Sequence, residues 1–404
     1  MKRSEQHWSL TRFRRFVAAG FFILLATAVA ARAQTFTVLY SFGNGSGSAP
    51  FAGVTLDQRG AIYGTTAEGG AGCGTVFRLS HSGGGWVINT IHTFHGGTAD
   101  GCYPYARVVF GPDGLLYGTT TYGGANNSGT VFSLRPPPSV CRAVLCPWIE
   151  TVLDSFTGGR DGAYPYYGDL SFDQAGSIYG TTEMGGARNG GAVFKLTPSG
   201  SGCTESVLWS FTGEADGDQP ISGVIFDNAG NLYGTTSNGN DLTEFGTVYE
   251  LSPSQSGWTE TTLYDFTDGD NGSGSGGLVM DSNGNLFGFT GDFSPGAAYE
   301  LTPSNGSWTF TVLQVFEGGD GGPVDSPTLD SQGNLYGSLP TGGNDYGEIF
   351  KLTPSGDEWI YTPLFDFNGS NGSFPMGGVT LDGNGNLYGT TPVPGNGTVW
   401  EITP

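Results

Sequence analysis

Apolar and polar positions along this chain alternate in short runs, and the runs recur. One set reads GVIFD from Gly223, NLYGTT from Asn231, GTVYEL from Gly246 and WTETTLYDF from Trp258. Each run is rich in β-branched or aromatic residues and bounded by Gly, Asp, Asn or Pro, as strands are. We call the four runs A, B, C and D. The aromatic of run B falls at Tyr63, Tyr117, Tyr179, Tyr233, Phe287, Tyr336 and Tyr388, seven copies 49 to 62 residues apart. Self-similarity at such a period, with four strands per unit, predicts the blades of a propeller.

Two further rulers run through the copies. The A-to-B turn is Asp-x-x-Gly at Asp57, Asp173, Asp227, Asp281, Asp330 and Asp382, with Gly111 in the place of the Asp in the remaining copy. Asp bonds the backbone ahead of it and Gly takes the positive φ, so these acids are read as hairpin residues. Run D ends in Phe42, Phe94, Phe156, Phe211, Phe266, Phe316 and Phe367, and eight residues earlier five copies carry Trp86, Trp148, Trp258, Trp308 and Trp359. Those tryptophans are read as packing between blades. After the leader the chain opens with an orphan D run, QTFTVLYSF, and it finishes with a C run, GTVWEITP. The expectation is an all-β, seven-bladed propeller of four-stranded blades over residues 34–404, closed by the N-terminal strand pairing with the last three. Closure removes the free sheet edges that would template aggregation. In such a meander the A–B and C–D connections share one face, and the B–C and D–A connections share the other.

The first 33 residues stand outside this pattern. Lys2, Arg3, Arg12, Arg14 and Arg15 precede the apolar run Phe16 to Ala30, followed by Ala31-Arg32-Ala33. That order is a secretory signal peptide, with cleavage expected after Ala33. The competing reading, a membrane anchor, needs a span of about 20 residues. No later stretch reads as a membrane span, and no anchor is expected after the last C run. Setting aside six basic residues and one acidic residue of the leader leaves 9 Lys+Arg against 36 Asp+Glu, a net charge of −27. So acidic a chain repels phosphate backbones, which argues against a nucleic-acid partner. An exported monomer, extracellular or in the cell envelope, is expected.

The unit GVxxDxxGNLYGTT…GG…GTVFKLTP resembles the GloVer tandem repeat of bacterial surface and secreted proteins, over essentially the whole of Gln34 to Pro404. Its A-to-B hairpin is similar to that of NHL-type propellers. The resemblance implies an extracellular or envelope location and supplies no catalytic residues.

Candidate chemistry lies where the copies depart from the repeat. Small residues precede most A runs, as in Ala52-Gly53, Ser222-Gly223, Gly276-Gly277 and Gly377-Gly378, and would let seven innermost strands crowd the axis. Arg107, Asp169 and Asp325 break that pattern. Beside them the D–A loops DGCYPYAR and DGAYPYYGD carry Tyr103, Tyr105, Tyr164, Tyr166 and Tyr167, and Tyr122 in a B–C loop belongs to the same face. Aromatics interspersed with carboxylates suit the apolar faces and hydroxyls of sugars, and the functional reading is a carbohydrate or peptide site between the second and third blades, near the channel mouth. The competing reading is that the tyrosines only pack under loops.

The remaining signals are weaker. An exported chain can form disulfides, and Cys141–Cys146 and Cys73–Cys102 are candidate pairs that leave Cys203 over. Asp216, Asp218, Asp268 and Asp270 are spaced as calcium ligands can be, yet neither loop completes the twelve-residue pattern with its terminal Glu; no other cofactor is expected. His81, His92 and His95 are too few and too local for a metal centre at the channel mouth. No nucleophile elbow or phosphate loop is present. The function expected is a binding or scaffold propeller for an extracellular glycan or protein, without catalysis. The alternative is a hydrolase or lyase that uses Asp169 and Asp325 as its carboxylates.

Overall fold

Seven four-stranded antiparallel sheets build the molecule. The computed structural model describes residues 34–404 except 44, 138–147, 201, 240–244, 268–271, 273, 275, 292–294, 317–321 and 323–324. The leader, Cys141, Cys146, Asp268 and Asp270 therefore lie outside the described residues. In blade 4, A to D are Ile225–Phe226, Leu232–Thr236, Thr247–Ser254 and Gly257–Asp265. Blade 7 takes Thr380–Leu381, Leu387–Thr391 and Thr398–Thr403 from the end of the chain and Thr35–Ser41 from its beginning. Thr35 faces Thr403 and Ser41 faces Thr398, so the orphan D run closes the ring as expected. No helix among the described residues is long and apolar enough to cross a membrane.

The core is divided among the seams between blades. Each of seven buried clusters joins two neighbours. Ala61, Tyr63, Val76, Ile91 and Phe94 of blade 1, for example, meet Val108, Leu116, Phe132 and Leu134 of blade 2. The tryptophans pack at the seams as expected: Trp148 of blade 2 lies 6.0 Å from Tyr63 of blade 1, and Trp359 of blade 6 lies 5.9 Å from Phe287 of blade 5. Strand D is bulged at the same place in every blade, leaving Leu39, Ile91, Leu153, Leu208, Leu263, Leu313 or Leu364 without a partner on strand C. A bulge re-aims its side chain and tightens strand twist, and here it turns a leucine or isoleucine toward the packed interior.

The turn acids do structural work. Asp57 Oδ1 accepts the backbone N–H groups of Arg59 and Ala61 at 2.8 and 2.9 Å, while the Tyr63 hydroxyl donates to Oδ2 at 3.3 Å. Where Gly111 replaces that Asp, Asp113 receives the Tyr117 hydroxyl instead, at 2.8 Å. Run B thus ties its tyrosine to its own turn. Its first threonine ties blades together: Thr65 donates to the Ala106 carbonyl at 3.0 Å, and Thr235 to that of Gly276 at 2.9 Å. At the axis, a β-carbon on Gly53 would stand 2.7 Å from the Gly378 carbonyl oxygen, so a residue without one is sterically required there.

Candidate functional site at the channel mouth

The D–A loops are clamped before they present any side chain. Tyr103 (φ 59°) and Tyr164 (φ 57°) are both left-handed, each just before a proline. The Tyr103 N–H donates to Cys73 of the preceding blade at 2.9 Å, and its carbonyl accepts from Thr121 N–H at 3.1 Å. Tyr164 is held the same way by Ser128 at 2.8 Å and Glu183 at 3.1 Å. A left-handed non-glycine residue costs on the order of 1–3 kcal/mol and often marks a functional site. Here Ala49, Gln219 and Phe374 adopt the same conformation in other blades, so the repeat itself imposes it. The prolines that follow act as pegs. A β-carbon on Gly74 would lie 2.8 Å from Pro104 Cδ, and one on Gly129 would lie 2.6 Å from Pro165 Cδ.

On these clamped loops all six tyrosines singled out from the sequence join into one aromatic patch. Tyr103 stacks on Tyr105 at 6.3 Å between ring centroids and meets Tyr122 at 5.9 Å, and Tyr122 meets Tyr164 at 5.2 Å. Tyr105 contacts Tyr166 at 4.9 Å and Tyr167 at 5.8 Å. The rings pack on one another, yet they are not sealed under the loops: Tyr122 is 39% exposed and the others are half-buried. Burial, then the neighbouring Tyr166, pushes the Tyr105 hydroxyl up to about 12. Phe51, 5.6 Å from Tyr105, and Met376 extend the rim. Sequence reading missed both. The signal that would have found them is the recurring proline, since each directly follows one, as Tyr105 and Tyr166 do.

Beneath the tyrosines the three exceptional charges converge. Arg107 of blade 2 donates from Nε to Asp169 Oδ2 of blade 3 at 2.8 Å, adds a second bond from Nη2 to the same oxygen, and reaches Thr380 Oγ1 of blade 7 at 3.4 Å. The guanidinium therefore bridges blades that are not neighbours in the ring. Asp325 of blade 6 takes the backbone N–H groups of Ser326, at 2.6 Å, and Gly378. Its carboxyl is held above the usual range by burial first and by the like charge of Asp169 second, with Arg107 opposing. Below, a cavity of ≈ 320 Å³ continues along strands A of blades 2 to 6. The arrangement can offer donors and acceptors to a polar ligand while the aromatic rim covers its apolar faces.

The remaining candidates fall elsewhere. Cys73 and Cys102 form a disulfide that ties the B–C loop of blade 1 to the D–A loop beginning blade 2, and Cys203 is free and half-buried. Asp216 receives Trp209 Nε1 at 3.2 Å, the Thr212 N–H and the Thr212 hydroxyl, which makes it a loop cap. Asp218 carries an oxygen without a partner, and burial raises its carboxyl pKa. Among the described residues, the group of three or more metal-capable side chains with converging ligand atoms is His92, Asp100 and Glu150.

Fold and repeat together define a β-propeller repeat protein with a tyrosine-rimmed, charged channel mouth. The chain belongs to the Gloeobacter/Verrucomicrobia repeat family, whose model matches residues 26–148, 147–309 and 290–404. No curated protein matches it in sequence. Solved structures share the fold alone. PorZ, a surface component of the type-IX secretion system of Porphyromonas gingivalis, aligns with TM-score 0.56 and 13% identity over 90% of this chain and 48% of its own, so this chain spans about half of that neighbour. The polysaccharide lyase Uly1 aligns with TM-score 0.52 and 12% identity over 91% and 92% of the two chains. A protein from Bacteroides uniformis, provisionally assigned as a 6-phosphogluconolactonase, aligns with TM-score 0.51 and 16% identity over 80% and 86%.

Proposed function

We propose that this protein is an exported binding propeller that presents the tyrosine-rimmed mouth of its channel to an extracellular glycan. The observation that carries the reading is the joining of six tyrosines, from two D–A loops and a B–C loop, around the Arg107–Asp169–Asp325 floor. Rigid aromatic faces cover the apolar face of a sugar ring at small entropic cost. The paired guanidinium and carboxylates supply fixed donors and acceptors for its hydroxyls. The basic-then-apolar leader and the disulfide support export.

The test is binding of the purified protein to a broad glycan and polysaccharide panel, with calcium and with EDTA. Retention that falls at least about tenfold in Tyr105→Ala or Tyr166→Ala, in proteins that keep the wild-type circular dichroism, supports the reading. Absence of binding across the panel overturns the glycan and leaves a protein partner for the same face.

A second reading, a hydrolase or lyase, is favoured by one observation. The two carboxylates at the mouth sit in unlike environments, Asp169 on the guanidinium and Asp325 biased toward its protonated form. Such divergence is how acid and base roles are separated. It requires Asp169→Asn to abolish turnover of a polysaccharide that the wild type degrades; if the panel yields no product with the wild type, this reading fails.

A further inference from the structure

We infer that His92, Asp100 and Glu150 form a zinc site at the seam between blades 1 and 2, separate from the channel mouth. His92 lies on strand D of blade 1, Glu150 on strand D of blade 2, and Asp100 in the loop between the blades. His92 Nε2 stands 3.7 Å from Asp100 Oδ1 and 3.6 Å from Glu150 Oε2, and the ligand atoms all lie within 4.8 Å of one another. These separations are too long for hydrogen bonds. The two distances from Nε2 are close to the roughly 3.3–3.6 Å edges of a tetrahedron whose centre is about 2.0–2.2 Å from each ligand, the zinc–nitrogen and zinc–oxygen distance.

A second, independent observation points to a missing partner at the centre. His92 Nε2 is shut off from solvent and makes no hydrogen bond, although it faces carboxylate oxygens of both Asp100 and Glu150. Buried polar atoms left unsatisfied are costly, and each one in a folded protein calls for an explanation. A cation held by Nε2 and the two carboxylate oxygens that face it gives the buried nitrogen its partner. An imidazole ligand disfavours calcium and magnesium, which take oxygen, and suits zinc and its transition-metal neighbours.

The ligands are also held in place from behind. Gly101 N–H donates to Asp100 Oδ1 at 2.7 Å and His95 N–H to Asp100 Oδ2 at 2.6 Å. The Trp148 N–H donates to the Ile91 carbonyl at 3.2 Å, fixing the two outer strands beside His92 and Glu150. Such outer contacts orient metal ligands and tune affinity. The site shares its loop with Cys102 and with Tyr103 and Tyr105, so zinc and the disulfide would together order the loop that carries two of the six tyrosines.

The experiment uses the full protein, produced by export and purified without a histidine tag. It is stripped with EDTA and titrated with Zn²⁺, and separately with Ca²⁺, in a calorimeter; metal content after dialysis is read by mass spectrometry. The expected result is one equivalent of zinc, with affinity lowered more than about tenfold in His92→Gln and in Glu150→Gln. The midpoint of thermal unfolding should rise with zinc in the wild type and not in either variant. The wild-type titration stands even if a variant fails to fold. No retained zinc, zinc binding unchanged in both variants, or uptake of calcium alone would each overturn the site.

Discussion

The ring of Phe77 on strand C of blade 1 occupies the space beside Gly64 on strand B, its cross-strand partner, so a β-carbon on the glycine would stand 2.6 Å from Phe77 Cζ. The same pairing joins Gly118 to Phe132, Gly180 to Phe194, Gly234 to Tyr249, Gly288 to Tyr299, Gly337 to Phe350 and Gly389 to Trp400. All seven aromatics are fully buried. The glycine of each LYGTT-type run is therefore a seat for an aromatic, not a loosened strand. Gly64→Ala is expected to destabilise by about 1–3 kcal/mol through overpacking. Gly83→Ala, whose β-carbon meets nothing within 4 Å, serves as the neutral control in the same denaturant titration. Equal midpoints for the two would refute the seat.

Arg107 and Asp169 are expected to be energetically coupled between blades 2 and 3. Arg107→Met leaves Asp169 and Asp325 facing each other without a cation, whereas Arg107→Met with Asp169→Asn removes one of the two charges. A double-mutant cycle by denaturant unfolding should return a coupling of about 1–3 kcal/mol. A value within the cycle's error of zero would mean that solvent screens the pair.

The Cys73–Cys102 bond closes a sequence separation of 29 residues. Restricting the unfolded chain in this way contributes about 2–4 kcal/mol. Reductant should lower the unfolding midpoint of the wild type and leave that of Cys73→Ser unchanged. A wild type insensitive to reductant would show that the loop is held by its backbone clamps alone.

Glu205, on strand D of blade 3, has its carboxyl pushed up to about 7 by burial first and by Asp154 and Asp161 next. A carboxyl whose folded-state pKa is raised binds its proton more tightly when folded. Its contribution is fully present below the unfolded pKa and is lost as pH rises through about 7. Glu205→Gln should therefore melt higher than the wild type at pH 8 and alongside it at pH 5. A difference independent of pH would assign the effect to packing instead. Other carboxyls titrate in both proteins, so the comparison isolates this one.

What could be read along the chain was everything periodic. Four strands per unit, the Asp-x-x-Gly hairpins, the tryptophan ruler and the orphan D run each recur or pair by position. Their physics is local or between neighbouring copies, so spacing alone carries them to the closed propeller. The tyrosines and the three charges were legible for the same reason, as exceptions against a regular background.

The relationships that spacing left open are set by ring closure. Arg107 finds Asp169 in the next blade and Thr380 on the far side of a full blade because strands A of all seven converge on one axis. His92 and Glu150 meet because outer strands of adjacent blades lie side by side, and neither sequence stretch hints at the other. Glycine beside the strand-C aromatic was in view in every copy. It reads as an ordinary weak strand position until the antiparallel register places a ring against it. Periodicity encodes which surfaces repeat; only packing around the axis brings the unlike residues of different blades within bonding distance.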